Sequence, residues 1–228
     1  MAIRRFNDVS ISLKNLEKLD KNICLTFFTD FLEKNSKASK IRDFYHQKLD
    51  FIDILPLNNW ARDLGLNLID WNRVFHKMYR SFTKNFKLLQ FQYKLLMRIS
   101  TCRHMRFKMK IDKNSPNCIY CPSSVETLVH IFLECPKTVT LVDYLKQCII
   151  ENLVNDYSDP KKLYYITCSH DNTSINYIWA AFKIYISRSF QLFQEPSLIG
   201  FKNSFLKFSY GENENIIKDV KLVLGLPY

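Results

Sequence analysis

"CIYCPSSVETLVHIFLEC", residues 118–135, gathers four potential metal ligands: Cys118, Cys121, His130 and Cys135. No other stretch of the chain has a comparable cluster, although seven cysteines are present in all. The spacing is C-x2-C-x8-H-x4-C. A C-x2-C pair suits a tight turn whose two thiolates converge on one tetrahedral ion. Between the pairs, Ser123-Ser124-Val125-Glu126 has the S-x-x-E form of a capping box. It predicts a helix over 124–134 that carries His130 about two turns in. His130 and Cys135 lie five residues apart, which is about 140° around an α-helix. The helix is therefore expected to fray or tighten near its end, with Pro136 as its stop. Four ligands that converge with no open position mark a structural zinc site rather than a catalytic one.

Other readings of these residues stay open. A redox C-x2-C wants its first cysteine at the start of a long helix that follows a strand. Here the expected helix begins after the second cysteine, and His130 and Cys135 would go unexplained. Cys102 and His104 are alternative ligands. Cysteines are also often simply buried, and Cys24, Cys148 and Cys168 sit in apolar helical patterns that favour packing. Small zinc sites bind with an apparent ~10–16 kcal/mol, against a whole-domain stability of ~5–15 kcal/mol. A helix as short as 124–134 is marginal alone, so the metal is expected to decide whether this segment folds.

Immediately upstream the chain is strongly basic. From Lys84 to Lys113 there are nine Lys or Arg and one acid, Asp112, so this window holds +8 of the chain's net +11. Phe86, Phe91, Tyr93 and Phe107 are interleaved with the cations. Cations that track phosphates beside rings that stack on bases suit single-stranded or structured nucleic acid. Within "KLLQFQYKLLMRIST" (87–101), Leu88, Phe91, Leu95, Leu96 and Ile99 share one helical arc, which predicts a packed face. Lys87, Lys94 and Arg98 gather beside that arc. Arg103, Arg106, Lys108 and Lys110 come next, on a segment that turns irregular toward "NSP" at 114–116. These seven cations are the candidate nucleic-acid contacts. Phe91 lies on the packing arc and is discounted as a base contact.

The rest of the chain reads as helices. "LKNLEKL" and "ICLTFFTDFLEK" are short amphipathic segments, and "KNSKASK" after them is a polar connector. "PLNN" at 56–59 predicts a turn before a helix that begins near Trp60. "TLVDYLKQCIIENL" comes after Pro136, "NDYSDP" (155–160) marks a loop, and "NYIWAAFKIYISRSFQLF" (176–193) is a buried helix. "EPSLIGF" interrupts it, "KNSFLKFSYG" restarts a helix, and "NENIIKDVKLVLG" closes the chain.

Length and composition agree. The chain has 228 residues, 47% of them hydrophobic, with only four glycines, which suits helices better than a turn-dense β fold. No apolar run is long enough to span a membrane and the start has no signal-peptide core. An intracellular protein is expected, in a compartment where clustered thiols hold metals more often than they form disulfides. The expected fold is mainly α, with helical segments flanking a small zinc-stabilised CCHC module. The segments expected are 1–50, 51–113, 114–140 and 141–228.

Several of these strings together resemble a known family. In order they are "WARDL" from Trp60, Trp71 with Val74 and Phe75, "TKNFKL" from Thr83, "FQYKLLMRI" from Phe91, "ETLVHIFLECP" from Glu126, and "NYIWAAFKIYI" from Asn176. The chain is similar over about 60–205 to the C-terminal zinc-binding region of LINE-type (non-LTR) retrotransposon reverse transcriptases. The resemblance implies a CCHC cluster at Cys118, Cys121, His130 and Cys135 that helps to hold template RNA or target DNA. Leu133 and a single Tyr144 stand where the family often carries a Trp and an aromatic pair. The polymerase is expected to be absent, because the chain has no Asp-Asp pair for a two-metal palm site. P-loop, H-E-x-x-H and G-x-S-x-G motifs are missing as well. A non-catalytic nucleic-acid-binding segment is thus the leading expectation. A zinc-stabilised protein-interaction module and a retroelement remnant without function are the alternatives.

Overall fold

The helix Thr173–Gln191 buries every residue from Ser174 to Ile186. A helix buried on all sides must be wrapped by others, and the rest of the fold is arranged to do that. The structure is a computed structural model. It describes residues 55–80, 83, 85–111, 115–209 and 212–227. The expectations for 1–50, Cys24, Lys84 and Lys113 lie outside the described residues.

In chain order the helices are α1 (Leu55–Asp63), α2 (Trp71–Arg80), α3 (Phe86–Leu96) and α4 (Arg103–Lys108). A π turn (His130–Glu134) leads into α5 (Pro136–Asn152). A 3-10 turn (Pro160–Lys162), α6 (Leu163–Thr167), α7 (Thr173–Gln191), α8 (Leu198–Phe208) and α9 (Glu214–Leu224) complete the order. The protein is mainly α, and the described residues hold one isolated β-bridge, Asn117 with Val125. Residues 50–228 form one compact unit.

Central α7 packs against α3, the π turn, α6, α8 and α9, and α5 closes over the π turn and α9. Aromatic side chains fill the joints. Tyr165 of α6 meets Trp179 edge-on at 5.0 Å, and Phe201 of α8 meets Phe182 edge-on at 5.1 Å. Edge-to-face pairs of this kind add ~0.5–1.5 kcal/mol beyond area burial. Short polar side chains start the helices. Asn85, Asn172, Ser197 and Asn213 each accept a backbone N–H from the first turn of the helix they precede. Lys183 is buried in α7, where its Nζ finds polar partners on α3 and around α6. Its Nζ donates to Gln92 Oε1 and to the Ile166 carbonyl at 2.7 Å, and it lies 3.3 Å from Cys168 Sγ. Cys168 is buried there, as its apolar setting implied, and Cys148 is half-buried in α5.

Three local expectations are corrected. "PLNN" is not a turn: α1 begins at Leu55, with Pro56 in its first turn, where a missing N–H costs nothing. Pro136 is the first residue of α5, for the same reason. The helix from Lys87 does not run to 101. It ends at Leu96, and Arg98 turns left-handed at φ 54°. The Ile99 N–H reaches back to the Lys94 carbonyl at 2.8 Å, closing the helix end. Leu88, Leu95 and Leu96 are buried as the arc requires, Phe91 is half-buried, and Ile99, beyond the helix end, is exposed.

Candidate metal centre

Residues 117–125 form a tight loop. The Cys118 N–H donates to the Ser124 carbonyl at 2.8 Å, and the Ser124 N–H to the Cys121 carbonyl at 2.9 Å. The Asn117 side-chain amide donates to the Pro122 carbonyl at 2.7 Å and closes the loop from outside. The loop sets the Cys118 and Cys121 sulfurs 3.5 Å apart.

The second pair of ligands is placed differently from the expectation. Val125 is committed to its bridge with Asn117, so Ser123, Ser124 and Val125 belong to the loop and do not start a helix. Helical residues run over 128–134. Thr127 is the cap: its Oγ1 accepts the His130 N–H, and its carbonyl accepts the Ile131 N–H, each at 3.0 Å. Glu126 caps another helix altogether. Its carboxylate accepts the Arg103 N–H at 2.9 Å, at the start of α4, where Cys102 offers no side-chain cap. The helix also does not tighten toward Cys135. It widens into a π turn, in which the Cys135 N–H bonds to the His130 carbonyl at 2.7 Å. That i-to-i+5 register brings His130 and Cys135 to one side, which an α-helix would not do.

The four ligand atoms all lie within 4.8 Å of one another. Cys121 Sγ is 3.2 Å from His130 Nε2 and 3.6 Å from Cys135 Sγ. Tetrahedral bonds of ~2.3 Å to sulfur place two sulfurs ~3.8 Å apart, so the cluster has the size of a metal coordination shell. Cys118, His130 and Cys135 are buried and Cys121 is half-buried. The site could hold one metal ion with no position left for substrate. Glu134 Oε2 lies 3.7 Å from His130 Nδ1, on the nitrogen turned away from the sulfurs. A carboxylate there favours the tautomer that leaves Nε2 free for a metal.

Without an ion, burial and the neighbouring Cys118 and Cys135 thiols push Cys121 up to about 12. Burial also raises Cys135 and lowers His130. Ligation must therefore displace protons from thiols, while His130 is already neutral near pH 7. Metal uptake at pH 7 should release protons, read as a buffer-dependent heat in calorimetry. Retention should weaken as pH falls and protons compete for the ligands. A binding heat independent of buffer would contradict thiolate ligation.

The centre is tied into the core. Ile131 and Phe132 are buried where the π turn meets α7. The Tyr120 ring meets Phe190 edge-on at 5.0 Å, and its hydroxyl donates to the Gln194 carbonyl. Cys102 and His104 stand outside the four-ligand cluster. The roles of Thr127, Glu134 and Tyr120, and the identity of the helix that Glu126 caps, go beyond what the sequence indicates. The H-x4-C spacing was the available signal for the π turn, since its hydrogen bonds span five residues.

The basic residues divide into two groups. Lys87, Lys94, Lys108 and Lys110 are exposed and Arg106 is half-buried. Phe86 and Phe107 are exposed beside them. Arg98 is corrected: it does not share a solvent-facing sector with Lys87 and Lys94. Its left-handed backbone turns the guanidinium onto the Trp60 ring, 4.3 Å from the centroid, and into an ion pair with Asp63. Trp60 in turn donates to the Leu96 carbonyl at 3.1 Å, so Arg98 clamps α1 to the end of α3. Arg103 is likewise engaged, donating to the Asn117 carbonyl at 3.0 Å and lying over Phe193 at 5.6 Å. Arg98→Gln should cost about 2 kcal/mol, from a half-buried ion pair and a cation–π contact. Denaturant melting checks this, and an unchanged midpoint would refute the clamp.

No protein-family model, curated protein or solved structure matches the chain. No helix of the described residues is long and apolar enough to cross a membrane.

Proposed function

We propose that the chain is a non-catalytic, zinc-binding segment that binds single-stranded or structured nucleic acid inside the cell. In this reading it corresponds to the zinc-binding region that follows the polymerase in LINE-type reverse transcriptases. Three thiols and one imidazole in a closed set favour zinc over the hard, oxygen-seeking cations.

One observation carries the reading. Exposed Lys87, Lys94, Lys108 and Lys110 stand with exposed Phe86 and Phe107 on α3, α4 and the residues just after α4, and α4 is held on the metal loop. Lysines supply phosphate contacts, and exposed rings supply stacking surfaces for unpaired bases. The metal's part is indirect. It fixes the loop whose Asn117 carbonyl and Glu126 carboxylate hold the start of α4.

Anisotropy of a labelled single-stranded RNA, titrated over a range of salt, tests the proposal. Three to four phosphate contacts give a log–log slope of about −2 to −3. Polyglutamate of matched charge should compete poorly, because it offers no bases to stack. Equal competition would favour an acidic protein partner and displace the nucleic-acid reading.

A further inference from the structure

A groove of about 330 Å³ opens between the end of α3 and the last turns of α7. Phe91, Ile99 and Ile184 give it apolar walls, and Lys94 and Arg188 stand among its lining residues together with Ser187. No lining residue is acidic. Two of its features lie beyond the basic segment: Arg188 and Ser187 come from α7, far along the chain from Lys94. The Arg188 guanidinium lies 5.2 Å from the Phe208 ring centroid, which restrains its position.

The contents of this groove select a ligand. Apolar walls that include one half-buried aromatic ring accept a flat, poorly hydrated group. A pair of cations with no acid among the lining residues selects an anion attached to it. The volume is within the ~300–1,000 Å³ usual for small-ligand sites. A nucleobase with its own phosphate has both parts on one short scaffold. An acidic peptide offers the charge without the flat apolar body.

We infer that this groove takes one unstacked nucleotide of the bound strand, with its base against Phe91 and Ile99 and its phosphate between Lys94 and Arg188. The inference rests on the nucleic-acid reading above and adds a defined base site to the exposed cation surface. It brings Phe91 back as a base contact, because that ring is only half-buried and lines the groove. Splaying a base out of its stack is the ordinary route by which proteins engage single-stranded RNA.

Photo-crosslinking with a 4-thiouridine-containing single-stranded RNA, mapped by peptide mass spectrometry, tests the assignment on the full chain. Crosslinks are expected on the peptides that carry Phe91 and Ile184–Arg188. Ser187→Trp fills the groove and should remove these crosslinks while leaving salt-dependent RNA binding largely in place. Arg188→Gln removes one phosphate contact and should reduce the salt slope by ~0.7. Circular dichroism would confirm that both variants fold. Should either fail to fold, the parent's crosslink map alone still decides. RNA binding with crosslinks confined to α4, or with crosslinks unchanged in Ser187→Trp, would overturn the groove and leave the broader reading intact. A parent chain that binds no RNA at all would overturn both.

Discussion

Removing the metal should unfold residues 115–135 and loosen what they hold. Structural zinc binds with an apparent ~10–16 kcal/mol, comparable with the ~5–15 kcal/mol stability of a whole domain. The segment has little else of its own: a tight loop, one β-bridge and a single π-ended helical turn. Helices this short do not persist unaided. Ile131 and Phe132 would also leave the α7 interface, where both are buried, and burying a large apolar side chain contributes ~1.5–3 kcal/mol. Cys118→Ser, His130→Ala or a strong chelator should therefore lower global stability by at least ~3 kcal/mol. New protease cuts should appear between 115 and 127. Cys148→Ser, half-buried in α5 and outside the cluster, should change neither readout. Melting curves and limited proteolysis of the same variants check this. Metal-free protein that melts like the parent would show that packing alone holds the loop.

Neutralising the exposed lysines should have the largest effect on binding. Lys87, Lys94, Lys108 and Lys110 are exposed, so changing all four to Gln should leave the fold intact. Each lost phosphate contact removes ~0.7 from the salt slope, so the quadruple variant should keep at most the ~−0.7 of the Arg188 contact. At ~0.1 M salt that is an affinity loss on the order of 100-fold or more. Lys110 offers a sharper version. It holds a left-handed φ of 58° at the end of α4, a position that favours glycine. Lys110→Gly should raise stability by ~1 kcal/mol through relief of that strain and still weaken RNA binding. Arg98→Gln should do the reverse, destabilising the fold with little effect on the slope. Anisotropy and denaturant melting together separate these outcomes. A quadruple variant with the parent's slope would remove the lysine surface from the account.

What the residues revealed in advance was local. The α3 arc of Leu88, Leu95 and Leu96 and the apolar run of α7 were legible because a helix writes its burial into sequence at a fixed period. The Cys/His cluster was legible because side chains able to coordinate a metal stand at short spacing. The parts that were missed depend on partners distant in sequence. Nothing near Arg98 indicates that Asp63 and Trp60 will claim it, and nothing near Glu126 indicates that the N–H it caps belongs to Arg103. The S-x-x-E string carried a correct chemical signal, a carboxylate that caps a helix, but attached it to the wrong helix. The departure at His130 and Cys135 had a geometric cue. Five residues conflict with an α-helical face, and the chain resolves the conflict by widening the helix rather than by tightening or fraying it.

The most direct test is native mass spectrometry of the intact chain, purified near neutral pH without chelator. One tightly held zinc ion per chain is expected. It should be lost on acidification and be absent from Cys118→Ser and His130→Ala. A chain that carries no metal, or whose metal content is the same in both variants, would contradict a zinc centre at Cys118, Cys121, His130 and Cys135.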